Sequence, residues 1–113
     1  MAILDTSIII EKLKNNEQIS DNITEAIEYP PILSYGKFSG KIFLIQRKDI
    51  LLALELQIKL RKTGKPKGLS DLLIAAISIN RQEELLSSDE DFEDIVKICN
   101  LKLNSARPLS MRY

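Results

Sequence analysis

The most constraining feature of the sequence is a set of short apolar runs that end beside an aspartate and give way to helix-forming stretches. Ala2 to Leu4 is one such run, closed by Asp5, and SIIIEKLKNN behind it places Ile9, Ile10 and Leu13 at helical spacing. ELLSS, followed by Asp89 and DEDFEDIVK, repeats the pattern, and LKLN reads as a last strand. DLLIAAISIN, which begins at Asp71, is apolar almost all round, the mark of a helix buried between other layers. Short apolar strands separated by helices build a parallel sheet covered on both faces, because parallel strands need crossover connections. The expected fold is therefore α/β: a compact three-layer α/β/α arrangement with a mainly parallel central sheet. With 113 residues, residues 1–113 are expected to form a single domain around one core.

The middle of the chain is less regular. From Glu17 to Glu28, Ile19, Ile23, Ala26 and Ile27 fall on one helical stripe, so a helix is expected there, stopped by Tyr29-Pro30-Pro31. ILSYGKFSG is turn-rich, and KIFLI has the β-branched and aromatic content of a buried strand. LELQIKLR alternates like a strand, yet it sits in an unbroken run from Ile50 to Thr63 of strong helix formers, with Asp49 in front and Gly64 behind. That length predicts a helix.

Composition removes several kinds of chemistry. There is no histidine, so neither a Ser-His or Cys-His couple nor a His-rich zinc site can form. The lone cysteine, Cys99, cannot close an internal disulfide and lies between Ile98 and Leu101, which fits a buried structural thiol. Sixteen basic residues balance sixteen acidic ones, so any nucleic-acid contact must come from a local patch. MAILDTSIII has no basic stretch before its apolar run and soon meets Glu11 and Lys12, unlike a secretory signal or membrane span, so a cytoplasmic location is expected.

Carboxylates are left to carry any reaction. Asp5, Asp71 and Asp89 each stand at a helix start, and in an open α/β sheet the carboxyl ends of the strands form the rim where distant residues converge. Carboxylates within about 5 Å of one another repel, and a divalent cation relieves that repulsion. All-oxygen ligands favour Mg²⁺ or Mn²⁺, whose natural use in such a site is phosphodiester hydrolysis. The same acids also suit plain helix capping, and Ser88 with Asp91 resembles a capping box with Asp in place of Glu. A phosphoacceptor domain of the response-regulator type lacks support, since no adjacent acidic pair follows the first strand. Lys59, Arg61, Lys62, Lys65 and Lys67 lead up to the Asp71 helix across a turn bounded by Gly64 and Gly68, and Lys62, Lys65 and Lys67 are the candidates for RNA contact. Lys37, Lys41, Arg47 and Lys48 form a second basic group. Such runs also occur as solvated faces.

ILDTSIIIEKL resembles the opening of PIN domains, GLSDLLIAA their central helix and LLSSDEDF their last acidic turn, in family order from about Ala2 to Leu103. The resemblance is to the VapC-type toxins. It implies a metal-dependent endoribonuclease acting on single-stranded or structured RNA, a homodimer, and silencing by a cognate antitoxin. Carried over by position, Asp5, Asp71 and Asp89 are the catalytic and metal-binding acids, Asp91 an auxiliary metal candidate, and Thr6 and Ser87 hydroxyls beside the site. One departure stands out. The family carries a glutamate just after its second strand, and the segment read as its counterpart, PPILSYGKFSG, holds no acid, with Gly36 or Lys37 nearest. Glu11 could substitute, or Lys37 could fill the space as a counter-charge and leave a catalytically silent PIN fold acting as a binding module.

Overall fold

The computed structural model describes residues 2–24, 29–99 and 101–105. Four strands, β1 (Ile3–Leu4), β2 (Asn22–Ile23), β3 (Leu85–Ser87) and β4 (Leu103–Ser105), form one sheet in the order β2-β1-β3-β4, and all its paired strands run parallel. Leu4 lies opposite both Ile23 and Leu86, so the strands bring their carboxyl ends to a common rim. Among the described residues, four α-helices accompany the sheet: α1 (Thr6–Lys14), α2 (Arg47–Lys62), α3 (Leu69–Asn80) and α4 (Asp91–Val96).

The pleat divides the core. Ile3 and Leu85 join Leu56 and Leu60 of α2, Ile74 and Ile77 of α3, and Phe92 and Ile95 of α4. Leu4, one residue on, joins Ile8 and Ile9 of α1, Ile19, Ile23 and Ile32 in a second cluster, with Leu86 packed against it. Helices α2, α3 and α4 therefore cover one face, and α1 with the 3₁₀ turn Pro30–Ser34 covers the other. This is the three-layer α/β/α arrangement with a parallel sheet that the strand and helix alternation leads one to expect.

Two sequence expectations are corrected. The stretch from Glu17 to Thr24 is not helical: Asn22–Ile23 is β2, and Ile19 donates its N–H to the Lys37 carbonyl at 2.9 Å. Residues four apart share a face in a strand as well as in a helix, so buried Ile19 and Ile23 satisfy both patterns. Ala26 and Ile27, which favoured the helix, lie outside the described residues. KIFLI forms no buried strand either. Only Ile42 makes an isolated parallel bridge, to Ile23, while Leu44 and Ile45 are exposed. The segment runs along β2, the edge strand of the sheet, where a Cβ on Gly40 would overlap the Asp21 carbonyl oxygen.

The three long helices end alike. Asn16, Gly64 and Gln82 each adopt a left-handed conformation just past the last turn. In each case the following N–H (Glu17, Lys65, Glu83) reaches back to the carbonyl of Lys12, Leu60 or Ser78 at 2.9–3.0 Å. Glycine and asparagine take that conformation readily, whereas Gln82 carries a side chain into it.

Two polar latches fasten α2 and α4 to the rest. The fully buried Asp49 accepts hydrogen bonds from the Gln46 N–H and the Asn80 amide, both at 2.8 Å, and its Oδ2 lies 3.8 Å from Arg81 Nη1. Arg81 also stacks over the Phe43 ring at 4.6 Å and donates to the Leu44 carbonyl at 3.1 Å. At the other end of α2, the Gln57 amide pairs both ways with the backbone of Lys67, at 2.8 and 3.0 Å. That places the Lys67 ammonium 2.7 Å from Asp94 and 3.4 Å from Asp91 of α4. Cys99 donates its thiol to the Ile95 carbonyl at 3.0 Å, and burial pushes its pKa up, so it behaves as a packing thiol.

Asp49→Ala is expected to destabilise the protein by about 3 kcal/mol in urea unfolding, because it strands Asn80 and Arg81 in a closed setting. The hydrogen bond from Lys67 holds the Asp94 carboxyl below its ordinary range. A carboxyl lowered in this way adds stability in full above the unfolded value, near pH 4, and loses it as pH falls through the folded value. Thermal melts at stepped pH should therefore show a lower midpoint for Asp94→Asn at neutral pH and convergence of the two proteins on acidification below about pH 4.

Candidate functional site

The aligned carboxyl ends of β1 and β3 deliver Asp5 and Ser87 to the same rim, where the loop after β3 brings in Ser88 and Asp89. The first turn of α3 adds Ser70 and Asp71 from above the sheet. Asp5, Ser70, Asp71, Ser88 and Asp89, together with Thr6, Ser7 and Ile10 of α1, wall an open cleft of about 380 Å³, with Ser87 buried behind them. Asp5, Asp71 and Asp89, far apart in sequence, thus line one space.

Asp5 is 8% exposed and firmly held. Its Oδ1 accepts the Thr6 N–H at 2.9 Å, capping α1, while its Oδ2 accepts the Ser87 hydroxyl at 2.8 Å and lies 3.5 Å from the Ser7 hydroxyl. Ser87 accepts in turn from the Asp89 N–H at 3.0 Å, so one buried hydroxyl couples the acid after β1 to the turn after β3. Asp89 Oδ1 accepts the Asp91 N–H at 2.9 Å, which starts α4. Capping is thus real at Asp5 and in the Asp89 turn, and it leaves carboxylate lone pairs to spare. Ser7 and Ser88 meet across the cleft at 3.3 Å.

Among the described residues, Asp71, Asp89 and Asp91 form a group whose oxygens come within 4.8 Å of one another. Oxygens on one octahedral ion with bonds of about 2.1 Å are separated by roughly 3 to 4.2 Å, so a small adjustment suits a divalent cation. Asp91, reached by sequence only as an auxiliary, belongs to this cluster, and Asp5 stands beside it as a wall of the cleft. Glu11 is exposed on α1 and does not line the cleft, where Ile10 stands instead. Lys37 lies elsewhere too: its ammonium donates to the Asn16 carbonyl at 2.9 Å, past the far end of α1 from Asp5. Among the described residues, Lys67 reaches the edge of the cluster, 3.4 Å from Asp91 and 2.7 Å from the neighbouring Asp94.

The basic candidates divide. Lys67 is only 9% exposed and is committed to Asp94, Lys65 lies 3.4 Å from the same carboxylate, and Lys62 is exposed at the end of α2. Ser7 and Ser70 are not among the residues that the sequence points to, and Ser88 enters there only as a helix cap. The signal was there in the hydroxyls that adjoin each acid, Thr6-Ser7 after Asp5, Ser70 before Asp71 and Ser87-Ser88 before Asp89. The position of the second strand also changes one inference. With β2 at Asn22–Ile23, the segment after it is not PPILSYGKFSG but the stretch that contains Glu25 and Glu28, both outside the described residues.

No family model matches the sequence, and no curated protein matches it. Solved structures do match. VapBC2 from Rickettsia felis bound to a promoter DNA fragment aligns with a TM-score of 0.70 at 17% identity, over 92% of this chain and 97% of that one. VapBC-1 from nontypeable Haemophilus influenzae aligns with a TM-score of 0.61, also at 17% identity, over 92% and 96% of the respective chains. At such identity the likeness speaks for fold alone, and the fold is the PIN-like α/β/α fold.

Proposed function

We propose that the chain is a Mg²⁺- or Mn²⁺-dependent endoribonuclease, the toxin component of a toxin-antitoxin pair. The observation that carries the reading is the gathering of Asp71, Asp89 and Asp91 within 4.8 Å beside a rigidly held Asp5. The VapBC complexes that share the fold motivate the toxin assignment and the antitoxin partner. Asp71, Asp89 and Asp91 would hold the ion, with Asp5 positioned by Ser87 to complete or orient the set. A divalent ion there supplies Lewis acidity and a bound water of lowered pKa. The chain's own part is to fix the acids in one orientation. The Ser87 hydroxyl holds Oδ2 of Asp5 while the Thr6 N–H holds Oδ1, and the Asp89–Asp91 turn presents its carboxylates to solvent. Thr6, Ser7, Ser70 and Ser88 give the cleft hydroxyls able to hydrogen-bond phosphate oxygens or water.

The acid after the second strand is assigned to Glu25 or Glu28, which follow β2 in sequence; Asp5 sits in register with the Thr24 end of that strand. A glutamate so placed would supply the acid that PPILSYGKFSG lacks. A second reading, a silent PIN-fold binding module, draws on the Lys67 ammonium 3.4 Å from Asp91, an internal positive charge that partly does the work of a metal.

Single-stranded RNA incubated with the protein and Mn²⁺ should be cut, and chelation should stop it. Asp71→Asn and Asp89→Asn should each slow cleavage by about two orders of magnitude or more, in line with loss of groups that act as a unit. Cutting at an unchanged rate by these variants, or in the presence of chelator, would reject the nuclease reading. Between Glu25→Gln and Glu28→Gln, one variant should lose activity to a similar degree while the other keeps it. Full activity in both, and in the double variant, would return the site to the acids of β1, α3 and the Asp89 turn alone.

A further inference from the structure

Lys67 sits in the loop between α2 and α3 with a side chain only 9% exposed, which is uncommon for a lysine. Its backbone is gripped by one side chain: the Gln57 amide donates to the Lys67 carbonyl at 2.8 Å and accepts the Lys67 N–H at 3.0 Å. From that fixed origin the ammonium reaches α4, where Asp91 and Asp94 stand three residues apart on one face. The two contacts are unequal. Asp94, 21% exposed, takes a bond of 2.7 Å, whereas Asp91, 54% exposed, lies at 3.4 Å. Asp91 also keeps an oxygen within 4.8 Å of Asp71 and Asp89, so it is shared between an internal cation on one side and the acid cluster on the other.

The sign of the consequence follows from charge. A divalent ion about 2.1 Å from an Asp91 oxygen would lie no more than about 8 Å from the Lys67 ammonium, within the screening length of about 10 Å at 0.1 M salt. A single and a double positive charge at such a distance repel, and with water-like screening that repulsion weakens ion binding about tenfold. The opposing effect, loss of a tether, is small at Asp91. Its N–H is held by Asp89 Oδ1 at 2.9 Å, which fixes the turn at the start of α4 without help from the ammonium. In the ion-free protein the same ammonium relieves the mutual repulsion of the acids. Its charge therefore acts in opposite directions on the ion-free and the ion-bound cluster.

We propose that Lys67 is a positioning residue that sets the cation affinity of the acid cleft: by sharing Asp91 it steadies the cluster without an ion and makes ion binding about tenfold weaker than the acids alone would give. Asp94, outside the cluster, belongs to the same device because it keeps the ammonium from pairing fully with Asp91. This inference rests on the reading of the cluster as a divalent-cation site and not on the cutting of RNA.

The test titrates Mn²⁺ against the whole chain, without RNA, and follows the free ion by electron paramagnetic resonance. Lys67→Met, which keeps most of the apolar stem and the Gln57 clasp on the backbone, should bind Mn²⁺ about tenfold more tightly than the unaltered protein. Lys67→Arg, which restores the charge, should return the affinity toward the original value. Asp94→Asn releases the ammonium to Asp91 and should weaken binding. Lys67→Met and Asp94→Asn break the same bridge with opposite results for the ion, whereas a purely structural role for that bridge would shift both the same way. Circular dichroism verifies that the variants fold, and if Lys67→Met does not, Asp94→Asn decides alone, with equal or tighter binding overturning the proposal. Equal or weaker binding by a folded Lys67→Met overturns it too and leaves the cation reading standing. Absence of saturable binding by all the proteins up to about 10 mM Mn²⁺ overturns both.

Discussion

Parallel pairing of β1 with β3 is the constraint on which the site depends. With Leu4 opposite Leu86, Asp5 and Ser87 emerge at the same height, and the Ser87 hydroxyl can bond Asp5 and the Asp89 N–H at once. A slip of one residue in that register would turn Ser87 away and bury a different face of each strand. Two strands of two and three residues cannot hold such a register by their own hydrogen bonds. It is fixed by what the pleat buries, Ile3 and Leu85 on one side and Leu4 with Leu86 on the other.

A cluster of like charges on this scaffold is a local liability that the fold tolerates by distributing counter-charge. Lys67 neutralises Asp94 and part of Asp91 and is itself positioned by Gln57 of α2. The ammonium stays at the edge of the group, and the Asp71–Asp89–Asp91 oxygens remain close. Proximity of this sort is the arrangement that a divalent cation stabilises most.

Much of this was legible in the sequence because it is local. β1, α1, α3, β3 and α4 each follow from a short apolar run, a helical stripe or an aspartate at a junction, and the rim rule then predicts that Asp5, Asp71 and Asp89 meet. What the sequence obscured has physical causes. Ile19 and Ile23 fit a helix and a strand equally, so β2 was hidden, and with it the identity of the acids that follow the second strand. KIFLI looks buried by composition, but an edge position decides its exposure. Lys67 reads as a surface charge, and only the Gln57 clasp, between residues ten positions apart, turns it inward. The doubly apolar α2 produced the strand-like alternation in LELQIKLR, since a helix with an inner and an outer apolar face loses the single stripe by which helices are usually recognised.

The central claim is that Asp71, Asp89 and Asp91, with Asp5 beside them, hold one cation. Crystals grown with Mn²⁺ and measured for anomalous scattering test it directly. A single peak should lie about 2.1 to 2.3 Å from carboxylate oxygens of at least two of the three clustered acids, at the mouth of the cleft that Asp5 walls. A map without a peak there, in which the acids splay apart or close onto Lys67, would contradict the account.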